Sequence, residues 1–190
     1  MAYAEQFNDE RPPLKRKRWT AEEVEHLRQG GFFEDGPKYE LLDGKLIEMS
    51  PQGPLHWQLC ADIVDWIALR LPPHLRIASN GPLRLSRTAE PEPDFFVFPR
   101  ALGVNDVRGP DTLLVAEVAD SSLETDRSVK SGTYAEHEVR LYWVIDAQNR
   151  VTWVYTPNAG GYGEPGEVPF DQSRSVPSVN EPLVIADLLR

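Results

Sequence analysis

Two apolar runs that each carry a single carboxylate constrain this chain more than any other feature. Glu92-Pro93-Asp94-Phe95-Phe96-Val97-Phe98 reads as a proline-introduced buried strand, and Leu113-Leu114-Val115-Ala116-Glu117-Val118-Ala119 as a second one about twenty residues later. An ionised carboxylate in an apolar strand is costly unless it is paired or binds a metal. Asp94 and Glu117 therefore point to a site, not to packing. After a connection rich in Ser, Asp and Thr, a helix is expected from about Thr125 to Glu138, with Asp126, Lys130 and Tyr134 at steps of four on one face.

Two carboxylates that leave room for water and phosphate oxygens suit Mg2+ (or Mn2+), which dehydrates reluctantly and seldom accepts a full protein cage. A lysine beside them completes a set for phosphodiester hydrolysis. Lys130 is expected to orient the attacking water and to balance charge building on the phosphate, while a metal polarises the phosphoryl oxygen. Acid before lysine at i,i+4 is equally the pattern of an ordinary surface ion pair. Tyr134 is assigned to packing, and the residues alone define only an acidic metal or acid/base site.

At these positions the chain resembles the Uma-two family of restriction-endonuclease-like proteins, within the PD-(D/E)XK nuclease superfamily. Pro93-Asp94 is similar to its first half-motif. Glu117-Val118-Ala119-Asp120-Ser121-Ser122-Leu123, then Asp126, Lys130, Tyr134-Ala135 and Tyr142-Trp143-Val144-Ile145-Asp146, are similar to the second half and its continuation. The superfamily usually sets its lysine two residues after the second acid, a position held here by Ala119. In the resembling family the lysine stands on the following helix, so its role passes to Lys130.

The resemblance spans roughly residues 19 to 190. It implies an α/β, restriction-endonuclease-like fold with a mixed central sheet, flanking helices and additional hairpins. It also implies a Mg2+-dependent endodeoxyribonuclease in which Asp94, Glu117 and the Val118 carbonyl hold the metal. Two further candidates stand behind these. Glu40 lies in Tyr39-Glu40-Leu41-Leu42-Asp43-Gly44, similar to a Tyr-Glu-Leu-x-Asp-Gly segment of the family. His56 falls on the first turn of a helix, where resembling sequences also carry a histidine.

Charge weighs against a nucleic-acid partner. Lys+Arg 20 against Asp+Glu 30 gives −10, and the first 18 residues hold five of the basic groups and only three of the acids. An acidic body gains little from counterion release unless its positive residues cluster. Residues 1 to 18, ending in Lys15-Arg16-Lys17-Arg18, read as a flexible basic leader, and 19 to 190 as one domain. Arg76, Arg84 and Arg87 form a candidate basic stripe, although plain exposed strand faces are the simpler reading. A single cysteine, Cys60, excludes an intramolecular disulfide and suits a reducing cytoplasm, with its thiol in core packing. No apolar run reaches the length of a membrane span.

The order of elements supports the mixed sheet. Thr20 and Glu23 predict a capped helix ending near Gly30-Gly31, and Asp43-Gly44 predicts a tight hairpin turn. Leu55, Leu59, Ile63, Trp66 and Ile67 predict an amphipathic helix stopped by Pro72-Pro73. Leu75–Ala78 and Leu83–Leu85 are expected to pair across Asn80-Gly81, and Leu141–Asp146 with Val151–Tyr155 across residues 147 to 150. The stretches 99 to 111 and 157 to 169 read as loops, the first either bordering the substrate groove or serving as a connector alone. A homodimer is expected, since cutting both strands with one site per chain is simplest with a two-fold axis. Two other classes stay open: a nuclease-fold scaffold without catalysis, and a glycosidase using Asp94 and Glu117 as acid and base, which has no need of Lys130.

Overall fold

The computed structural model describes residues 16–34 and 36–189. The first element is α1 (Ala21–Gln29), whose cap is the reciprocal one expected: Thr20 accepts from the Glu23 amide, and the Glu23 carboxylate accepts from the Thr20 amide. β1 (Tyr39–Leu42) and β2 (Lys45–Glu48) form the expected hairpin. Asp43 and Gly44 take φ of 48° and 72°, the two positive angles of a primed two-residue turn. α2 (Pro54–Ala68) begins with proline at its first turn and buries Leu59, Ile63 and Ile67.

Six strands make the central sheet. They are β3 (Leu75–Ser79), β4 (Phe95–Pro99), β5 (Leu114–Ala119), β6 (Tyr142–Asp146), β7 (Val151–Tyr155) and, after a small separate hairpin of β8 (Pro157–Asn158) and β9 (Gly161–Tyr162), β10 (Gly166–Pro169). Their spatial order is β10-β7-β6-β5-β4-β3. Only β5 and β6 are parallel, joined by the helical segment between them, so the sheet is mixed as expected.

Alternation along the strands divides the core. Phe95, Val97, Ala116, Val118, Trp143 and Ile145 face α2 and the C-terminal Leu183 and Ile185. Phe96, Phe98, Val115, Ala119, Tyr142 and Val144 face the opposite side, with Tyr134, Leu83 and Leu85. Burial on both faces is why β4, β5 and β6 read as continuous apolar runs.

Two expectations are corrected. Leu83–Leu85 is not a strand of this sheet: β3 pairs antiparallel with β4, and residues 80 to 94 loop out between them. The turn chemistry at Asn80 is real, with φ of 54°. The segment after that turn, however, starts at Pro82 and offers less apolar surface than Phe95–Phe98, and the longer buried strand takes the pairing. Leu83 and Leu85 instead bond to the backbone of Pro91 and Ala89. The second correction concerns 157 to 169, which is no loop throughout. Gly166–Pro169 pairs with β7 as the outermost strand, an edge position where proline is tolerated.

The leader expected at 1 to 18 lies outside the described residues up to position 15. Within them, Lys17 pairs with Glu23 at 2.5 Å and Arg18 pairs with Asp43. No described helix is long and apolar enough to cross a membrane.

Candidate active site

Register brings the two strand acids together. Phe95 lies opposite Ala116 and Phe96 opposite Val115. One step further sets Asp94 across from Glu117, on the face shared with Phe96 and Val115. Asp94 Oδ2 accepts the Val118 amide at 2.6 Å, and Oδ1 accepts from Gln52 Nε2 at 3.1 Å and lies 3.0 Å from His56 Nε2. Both acids are almost wholly buried.

The lysine arrives from a helical segment with an uncommon build. α3 (Leu123–Thr125) runs into a π-helical turn, Asp126–Lys130, and then α4 (Ser131–Glu136). In an α-helix each four-residue step overshoots a full turn by about 40°, so three residues at steps of four drift apart around the axis. A wider π turn winds part of that drift back, and such turns concentrate at functional sites. Asp126, Lys130 and Tyr134 accordingly meet at one place. Lys130 Nζ lies 3.1 Å from Glu117 Oε1, 3.2 Å from Glu40 Oε2 and 3.6 Å from Asp126 Oδ1. The Tyr134 hydroxyl donates to Glu117 Oε1 at 2.8 Å.

Glu40 therefore sits inside this cluster, and only 2% of it is exposed. Leu41 bridges to Glu90 of the 80–94 loop, and the Glu92 amide donates to Glu40 Oε2 at 3.2 Å. The hairpin is thus anchored against the 80–94 loop, which ends at Asp94.

Three buried carboxylates, Glu40, Glu117 and Asp126, surround one buried ammonium, and a fourth, Asp94, lines the same cavity. The imbalance governs their protonation. Burial lifts Glu117 well above the usual carboxylate range, Lys130 pulls it back, and Asp126, Asp94 and Glu40 lift it further. Glu40 and Asp126 are raised for the same first reason, burial, against the pull of Lys130. Burial alone would lower Lys130, but Glu117, Glu40 and Asp126 outweigh it and raise the ammonium. Lys130 is charged at all ordinary pH. The Cys60 thiol, packed in the core as expected, is pushed up to about 12 by burial and by Asp94 and Glu117.

These groups line a cavity of about 70 Å³ that also takes in Val118, Ser122 and Gln52. Two polar atoms of its lining residues, His56 Nδ1 and Asp126 Oδ1, are buried without a hydrogen-bond partner. Among the described residues, no group of three or more His, Cys, Asp or Glu is arranged to hold an ion by side chains alone.

All five side chains singled out from the sequence, Asp94, Glu117, Lys130, Glu40 and His56, fall here, with Val118. Tyr134, expected only to pack, does so, yet its hydroxyl also reaches Glu117, and only the four-residue spacing hinted at that. Gln52, which donates to Asp94, lies in a segment without periodicity and carried no signal, and Ser122, which donates to Asp126, stood out only as part of the matched second half-motif. The candidate basic stripe is not a free phosphate-binding surface: Arg84 is committed to Glu90 and Glu22, Arg87 lies 3.8 Å from Glu22, and Arg76 stands over the Phe98 ring. The 99–111 loop contributes nothing to the lining of this cavity.

A mixed sheet that offers acids from two neighbouring strands to a helix-borne lysine defines an α/β protein of the restriction-endonuclease-like kind. The model of the Uma2 family, described as putative restriction endonuclease, matches residues 21–185, and the chain belongs to that family. Among solved structures the fold is similar to that of a putative nuclease belonging to DUF820 from Anabaena variabilis, at 20% identity and a TM-score of 0.64, covering 80% of this chain and 89% of that one. No curated protein matches the chain.

Proposed function

We propose that the protein is a Mg2+- or Mn2+-dependent endonuclease that hydrolyses phosphodiester bonds in DNA. The observation that carries this reading is the nearness of Asp94, immediately before β4 and bonded to the Val118 amide, to Glu117 on β5, with Lys130 against Glu117. The donor set suits such an ion: two carboxylates and the Val118 carbonyl leave most positions for water and phosphate oxygens. The charge also suits it, since the cavity holds four buried acids against one ammonium and two of its lining atoms lack hydrogen-bond partners. Bound there, the ion would polarise the phosphoryl oxygen and lower the pKa of water.

Every other part of the reaction falls to the chain itself. Lys130, fixed by Glu40 and Asp126, presents its ammonium beside Glu117, where it can orient the attacking water and offset charge on the phosphate. Tyr134 holds Glu117 in one rotamer, and His56 and Gln52 hold Asp94. A glycosidase reading would leave the Lys130–Glu117 contact without a role. A two-fold dimer is the assembly we assign to double-strand cutting, and the lone buried thiol of Cys60 suits the cytoplasm.

The test is a cleavage screen of plasmid, linear duplex and single-stranded DNA and of RNA, with Mg2+, Mn2+ or EDTA. Cleavage should stop in EDTA, and Lys130→Met should lower it by roughly 100-fold or more. Cleavage unaffected by Lys130→Met would overturn the mechanism. A folded protein that binds the ion and cuts none of these substrates would be a binding scaffold.

A further inference from the structure

A second groove opens on the outer side of Asp94. It holds about 330 Å³, within the range of small-molecule sites, and is lined by Trp57, Met49, Pro51, Lys38 and Asn80 together with Gln52 and Asp94. Asp94 and Gln52 also line the candidate catalytic cavity, so the two spaces share a wall. Whatever fills the groove lies next to the reacting group.

Trp57 is its distinctive feature. It follows His56 on the first turn of α2, and successive helical residues point about 100° apart. His56 turns inward to Asp94, whereas 52% of Trp57 is exposed along the groove. Its ring meets His56 only edge-on, with centroids 6.2 Å apart. The charge of the groove narrows its occupant: Lys38 stands among Glu48, Glu92 and Asp94, so a run of phosphates would be repelled. A flat, neutral ring would not.

We propose that this groove takes an unpaired nucleobase of the strand whose phosphate lies at Asp94 and Glu117, with Trp57 as the stacking platform. The proposal rests on the nuclease reading and narrows its substrate to nucleic acid with an unstacked base beside the cut. A base inside a duplex has both faces covered and must leave the stack before it can reach an indole. The balance of 20 basic against 30 acidic residues agrees, because stacking supplies affinity where counterion release does not.

The experiment uses the full chain with Ca2+, a hard cation with the same preference for oxygen ligands. Fluorescence anisotropy measures binding of a short dye-labelled single strand, the same strand with an abasic site, and its duplex. Steady-state cleavage in Mn2+ runs in parallel. Trp57→Ala should weaken single-strand binding roughly 10-fold or more and raise KM, Trp57→Phe should retain most of the affinity, and duplex binding should hardly change. The abasic strand should bind the wild type as weakly as the intact strand binds Trp57→Ala. Equal binding of intact and abasic strands, or an equal loss for strand and duplex, would overturn the proposal. So would a dimer that Trp57→Ala dissociates without altering strand preference, which would make the groove a self-association surface. Metal-dependent cleavage with unchanged KM in Trp57→Ala would remove this inference and leave the nuclease reading. Trp57-dependent strand binding without cleavage in any metal would do the reverse, and no strand bound by the wild type would overturn both.

Discussion

Glu117 is the residue on which the charge balance of the site turns. It accepts from Tyr134 and pairs with Lys130, yet burial and the neighbouring Asp126, Asp94 and Glu40 hold its carboxyl well above the ordinary 4.5. The metal-free folded state therefore binds more protons than the unfolded chain between 4.5 and the raised value. Stability is full below the ordinary value and is lost as pH rises through the raised one. Thermal melts of metal-free protein should show this fall, at up to about 1.4 kcal/mol per pH unit, and Glu117→Gln should flatten it. Excess Mn2+ should flatten it too, because a cation favours the ionised carboxylate. Wild type and Glu117→Gln with the same pH dependence would contradict the account. At this scale the sequence was most informative where a residue broke its surroundings: Asp94 and Glu117 are acids in apolar strands. Tyr134 and Gln52 broke nothing, and their contacts with the two acids are set by the fold.

Among the elements, the π turn at Asp126–Lys130 decides whether the lysine reaches the strand acids. Deleting the exposed Ser128 should draw that turn back to α-helical winding and rotate Lys130 away from Glu117. The expected result is a folded protein by circular dichroism whose cleavage falls to the level of Lys130→Met; undiminished cleavage would deny the turn its role. A helix over this stretch was legible, and so was the shared face of Asp126, Lys130 and Tyr134. The extra residue that makes the face real was not, because periodicity resolves the existence of a helix better than its winding. The same limit explains β3, whose partner β4 lies beyond a loop that the local turn signal at Asn80 did not reveal. Where pairing was local, as at Asp43-Gly44 and between β6 and β7, the turn residues sufficed.

For the whole molecule, charge and architecture pull against each other. The acids outnumber the basic residues by ten, and the arginines Arg28 and Arg84 are committed to Glu90, Glu92 and Glu22 in tying α1 to the 80–94 loop. These two arginines are not free to neutralise phosphates and acids are in excess overall, so the logarithm of DNA affinity should fall with the logarithm of salt at a slope of about −2 or shallower. A slope steeper than about −5 would reveal a clustered basic surface and contradict this reading. The mixed sheet, its flanking helices and the family were legible because they rest on apolar runs, caps and spaced motifs. The closeness of Glu40 and His56 to Asp94 and Lys130 depends on how distant segments dock, which no local pattern states. The two-carboxylate metal site underlies all of this, and isothermal titration of Mn2+ into wild type, Asp94→Asn and Glu117→Gln at equal concentration probes it. The account predicts binding to the wild type that is lost in both variants while thermal melts show them folded; a wild type that takes up no Mn2+, even with nonhydrolysable DNA present, would contradict it.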